Sequence, residues 1–282
     1  MRSNNPVFNR SPEFNGQRGG QGAGAPYAAY GQQGYSDPSS WDVAQGGGYG
    51  APQAPISRMT VDSVVQKTAF TVGLAVVVAF LTYALTPSLE EPSGFALAGA
   101  AATIGGLTAF GLSMVNSFKR EVSPALVLAF AAVEGLFLGG FTKLMTAVAD
   151  GIIVPAVFGT FAAFAATLTV YRVFDIKVGD KFRKGVIAVM FGMVALSLME
   201  FVLSFFGAQI GLFGLGGLGL VTAVVGLVLG VFMLILDFDF VEKGIAAGLP
   251  ERESWRAAFA MTVSLVWIYT NLLRLLAILN QD

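Results

Sequence analysis

Seven long apolar stretches dominate the chain from residue 64 onward: Thr68–Leu85, Phe95–Val115, Pro124–Phe141, Ile152–Tyr171, Gly185–Phe206, Leu212–Leu236 and Ala257–Leu279. Each is close to the roughly 20 residues that cross about 30 Å of hydrocarbon as a helix. Backbone groups in lipid must be satisfied within the segment or by a closed barrel. A barrel would show strands of about ten residues with alternating polarity, and none is legible. The pattern therefore predicts an all-α polytopic membrane protein with seven transmembrane helices. The sixth stretch is the least regular, because Gly214, Gly216, Gly217 and Gly219 allow a non-helical start.

Residues 1–57 have the opposite character. They hold eleven of the 35 Gly, six of the eleven Pro and four of the seven Tyr, with few aliphatic side chains. Such a segment cannot bury enough apolar surface to offset its ordering entropy and reads as a disordered cytoplasmic tail. It lacks the apolar run of a cleavable signal. The domain division expected is thus a tail over 1–57 and a membrane domain over 58–282.

Lys and Arg fix the expected orientation. With the N-terminus inside, the short inner loops and helix ends hold ten basic residues, from Lys119 to Arg256, against Lys143 and Arg274 on the other side. The positive-inside rule then places the N-terminus in and, after seven spans, the C-terminus out; the membrane expected is the plasma membrane, in bacteria the inner membrane.

Composition supports this class and removes several others. The chain is 55% hydrophobic and only 12% charged, about half the charge of a soluble domain, with a mean hydropathy of +0.68. It has no Cys and no His. Disulfides, thiolate nucleophiles, thiolate zinc sites, Ser-His hydrolysis and an imidazole pH switch are excluded. Retinal binding would need a Lys in the last span. The expectation is a protein that is not an enzyme, has no cofactor beyond a transient calcium ion, and does not bind nucleic acid. Its surroundings are the lipid bilayer, and a monomer is favoured over an oligomer.

Ionisable groups inside the spans carry the functional argument, since each costs a few kcal/mol near the bilayer centre. Glu134 lies ten residues into the third stretch, about 15 Å from the inner edge. Glu200 lies about 24 Å up the fifth. Asp237 marks the inner end of the sixth, with Asp239 and Glu242 just beyond it. These five acids can form an ion path or gate, with Asp237 a weak metal site. They can equally be helix glue, with Asp237 to Glu242 a solvated helix end. Ser264, Asn271 and Arg274 on the seventh stretch, together with Thr262, are pore-lining candidates, although Arg274 can also snorkel to the outer interface. Rows of small residues, Gly135 with Gly139, Gly226 with Gly230, and Ala98 with Ala102 and Gly106, suit close helix packing.

Three segments resemble the Bax inhibitor-1 (transmembrane Bax inhibitor motif) family: Phe130-Ala-Ala-Val-Glu134-Gly135-Leu-Phe-Leu138-Gly139, Leu236-Asp237-Phe238-Asp239-Phe240-Val241 and Leu272-Leu273-Arg274-Leu275-Leu276. The likeness covers about residues 60–280 and is strongest to a bacterial, YccA-like branch with a long N-terminal extension. It implies six helices around a central seventh and a pH-sensitive calcium leak, gated by two aspartates near the inner ends of the sixth and seventh helices. Asp237 matches the first of these. Ser264 stands near the second position, and the second span has no basic residue to match the family's gating arginine. Some bacterial relatives resemble regulators of a membrane protease, which gives a second expectation: a non-conducting protein that binds such a partner through its tail and cytoplasmic loops.

Overall fold

A computed structural model describes residues 57–281, and the proposed disordered tail lies outside those residues apart from Ser57. Seven helices follow one another: α1 Val61–Leu85, α2 Pro92–Phe118, α3 Pro124–Thr146, α4 Ile153–Val173, α5 Asp180–Phe205, α6 Gly217–Ala246 and α7 Glu253–Leu279. All seven are long and apolar enough to cross a membrane, and no strand occurs among the described residues. Short connections make successive helices alternate in direction. The face at which α1 starts is called proximal below, and the opposite face distal.

Local chemistry sets the first three helix starts. Thr60 caps α1 in a reciprocal box, its hydroxyl accepting from the Ser63 N–H (3.1 Å) while the Ser63 hydroxyl accepts from the Thr60 N–H (3.0 Å). Pro92 and Pro124 begin α2 and α3, where a missing N–H costs nothing. The glycine-rich start of the sixth stretch is irregular as expected: Gly207 and Gly211 have positive φ (72° and 80°), and α6 begins only at Gly217.

The inner end of α6 runs beyond the apolar span. The helix continues about two and a half turns past Asp237, taking Asp239 and Glu242 into its length. Charged side chains do not end a helix when each finds a partner, as these do. Termination comes at Gly248, whose φ of 66° supplies the left-handed residue of a C-terminal cap, with the Leu249 N–H donating to the Gly244 carbonyl at 3.0 Å.

Helix α7 is the centre of the bundle, packing against α1, α3, α4 and α6. The encirclement is less complete than six helices around one: α2 packs on α3, and α5 on α6. Small residues bring these pairs together. A Cβ on Gly135 would stand 2.5 Å from the Ala75 carbonyl of α1, and one on Gly140 would stand 2.6 Å from the Ala98 carbonyl of α2. A strap leads into α1. The Met59 N–H donates to the Leu249 carbonyl at 2.8 Å, the Glu251 N–H to the Ser57 carbonyl at 2.7 Å, and the Met59 side chain is buried against α6.

Candidate functional site

Four polar residues of α7 fall in one stripe. Ser264, Trp267, Asn271 and Arg274 are spaced three, four and three apart, which puts them on a single helix face. That face meets α6. The Ser264 hydroxyl donates to Oδ2 of Asp237 at 2.6 Å, and the Trp267 indole N–H donates to the Gly226 carbonyl at 2.8 Å. The Asn271 side chain, whose amide donates to the Trp267 carbonyl at 2.8 Å, lies directly against Gly226. Ile268 fills the space over Gly230. Glycine at 226 is what allows a buried amide to sit between two helices.

Arg274 completes the stripe at the distal end. It does not snorkel: only 6% of it is exposed. Its guanidinium donates to Thr222 Oγ1 at 3.3 Å and to the carbonyls of Gly219 (3.4 Å) and Leu212 (3.5 Å), and lies over the Phe213 ring. Its Nε has no partner among the described residues. The pull toward the interior comes from three backbone and hydroxyl oxygens left over by the irregular start of α6.

Glu200 holds the same loop from the other side. Its two carboxylate oxygens accept from the N–H groups of Gly211 (2.8 Å) and Phe213 (3.0 Å), and the Thr222 hydroxyl bonds the Leu212 carbonyl between them. The loop 206–216 is thereby fixed to α5 by an acid and to α7 by a base.

The remaining acids stand apart from the seam. Asp239, 3% exposed, points away from Asp237 toward α5, as two residues along a helix require, and bonds Arg183 (3.0 Å) and Lys243 (2.8 Å). Glu242 is exposed and accepts from the Tyr171 hydroxyl at 2.6 Å. Glu134 shares its helix row with Phe130, Leu138 and Thr142. Phe130 meets Phe259 edge-on at 4.9 Å between ring centres, and the Thr142 and Tyr269 hydroxyls bond at 2.9 Å. Glu134 thus faces α7 between these contacts, without a hydrogen-bond partner among the described residues. Stepping about 100° per residue around α7, the side touched by α3 lies opposite the side touched by α6. The central helix therefore stands between Glu134 and Asp237.

The structure accordingly joins Asp237, Ser264, Asn271 and Arg274, ties Glu200 to Arg274 through the 206–216 loop, and leaves Glu134, Asp239 and Glu242 in separate settings. Sequence reasoning missed Trp267, Thr222, Tyr171 and Arg183. Trp267 was legible from its stripe position, whereas the others depend on tertiary neighbours. Among the described residues no group of three or more acids forms a metal cluster. Calcium takes six to eight oxygens, so Asp237 and Ser264 would supply only a fraction of its shell.

A seven-helix polytopic membrane protein with a carboxylate and a hydroxyl paired at its central helix is the class that fold and site define. The family profile described as Bax inhibitor 1 like matches residues 5–281, and the chain belongs to that family. No curated protein matches it.

Proposed function

We propose that the protein is a cation leak of Bax inhibitor-1 type, oriented N-terminus in and C-terminus out, with calcium as the transported ion and the α6–α7 seam as its route. The observation that carries this reading is the 2.6 Å hydrogen bond from Ser264 to Asp237, which puts an acid against the central helix at the proximal end of a polar stripe. The seam as described is closed, since Asn271 and Ile268 fill the glycine notches of α6. Passage requires α6 to part from α7. Asp237 then offers a cation one carboxylate, with water and backbone carbonyls giving weak, transient ligation.

Protons enter this scheme through charge. A hydroxyl donates to a carboxylate or accepts from a carboxylic acid, so the Asp237–Ser264 bond persists in either state. The ionised form attracts the cation and the neutral form does not. Leak therefore rises with pH as Asp237 ionises. Reconstitution in vesicles with an internal calcium dye tests the proposal: Asp237→Ala abolishes the pH-dependent flux, and Glu134→Gln, on the other side of α7, leaves it in place. A flux unchanged by Asp237→Ala would remove the site, and no flux at any pH would remove the leak.

The strap favours a second reading, a non-conducting regulator of a membrane protease or other partner. Residues 57–59 pair with the α6–α7 corner, so a partner holding the tail would act directly on the helices that form the seam. Removing residues 1–56 spares the strap and should release such a partner from the purified protein.

A further inference from the structure

We propose that the cleft between α1 and α4 is a binding site for one phospholipid, its acyl chain in the cleft and its phosphate at Lys143. The two helices barely touch, and between them a cavity of about 330 Å³ reaches down to α7, lined by Val76, Ala79, Val157, Phe161, Leu265 and Val266. The deeper polar side chains of the lining are turned inward to partners. Thr160 and Thr262 bond their own helix carbonyls at 2.8 and 2.7 Å, and Thr142 bonds Tyr269 at 2.9 Å. The cleft consequently presents hydrocarbon to its occupant, and a polar ligand would gain nothing there.

Length and charge identify that occupant. Along α1 the lining runs from Val72 to Tyr83, about 16 Å, the depth of roughly one leaflet of a 30 Å hydrocarbon core. At its distal mouth the Lys143 ammonium lies 4.6 Å from the centre of the Tyr83 ring and donates to the Tyr83 carbonyl at 3.4 Å. Lys143 makes no ion pair among the described residues. The only other described cation in the distal half, Arg274, is buried on the far side of α7. A cation held at headgroup height directly above an apolar slot one leaflet deep matches a phosphate joined to an acyl chain. An unscreened anionic headgroup suits Lys143 better than a zwitterionic one.

Photocrosslinking of the full chain in vesicles tests this, using phosphatidylglycerol or phosphatidylcholine with a diazirine in one acyl chain. Label is expected on α1 and α4 peptides carrying Val76 and Val157, with phosphatidylglycerol favoured about fivefold and that preference lost in Lys143→Gln. Ala79→Trp, which fills the cleft, should suppress labelling there by both lipids. Label spread evenly over α5 and the other lipid-facing helices would overturn the site. So would cleft labelling that neither substitution changes, or covalent dimers in place of lipid adducts.

Discussion

Two glycine-mediated interfaces in this bundle do opposite things. Where α3 meets α1 and α2, Gly135, Gly139 and Gly140 receive backbone carbonyls and small side chains, so the contact is close and apolar. Where α6 meets α7, Gly226 receives the Asn271 amide, and the indole, hydroxyl and guanidinium of α7 line the same side. The small-residue device that clamps helices in one place makes room for polar groups in the other. What differs is the sequence of the partner helix: α1 and α2 offer Ala, Val and Thr, whereas α7 offers Ser264, Trp267, Asn271 and Arg274.

Substitution should separate a clamp from a cradle. The largest effect is expected at Gly140→Val, whose side chain meets the Ala98 carbonyl and the Ala102 N–H of rigid helices. Overpacking of this kind costs about 1–3 kcal/mol or more, read as a drop in the thermal unfolding midpoint in detergent. Gly226→Ala presses instead on an amide that can rotate, so stability should fall less while leak changes more. Equal losses of stability at both sites would erase the distinction.

Next in size is Ser264→Asp, which places a second carboxylate against Asp237. Two adjacent carboxylates titrate as a pair with separated apparent pKa values. The single rise of leak with pH should become two steps in the vesicle assay, and an unchanged profile would show that Ser264 does not face the ion.

Glu200→Ala removes two charge-assisted bonds to the α5–α6 loop, a loss confined to that loop. Hydrogen exchange at the Gly211 and Phe213 amides should quicken while α3 stays protected. The smallest effect belongs to the strap. Hydrogen bonds from Lys67 and from Ser57 hold the Glu251 carboxyl below its ordinary range. A depressed pKa contributes stability above the unfolded value, lost as pH falls through the folded one. Exchange at the Met59 amide should therefore rise only in acid more extreme than a free glutamate needs, and Glu251→Gln should remove that dependence.

Much of the bundle was legible because hydropathy in lipid leaves few alternatives. The seven spans, the irregular start of α6 and the intramolecular use of Gly135, Gly139, Gly226 and Gly230 all follow from short-range pattern. The partners of Asp239 and Glu242 do not, because Arg183 and Tyr171 arrive from α5 and α4 only in the tertiary fold. The partners of Glu200 and Arg274 were hidden for a related reason. Each is satisfied by main-chain groups of a loop whose course only the tertiary fold determines. The α7 stripe was present in the spacing of its polar residues, but its pairing with Asp237 needed the antiparallel register of α6.

Access to Ser264 tests the seam most directly. The chain has no cysteine, so Ser264→Cys places a single thiol, isosteric with the hydroxyl, beside Asp237. In vesicles that conduct calcium, a membrane-impermeant charged thiol reagent should modify this residue faster as pH and flux rise together, and modification should block the flux. Conducting vesicles in which the thiol stays unreactive would put the ion path elsewhere in the bundle.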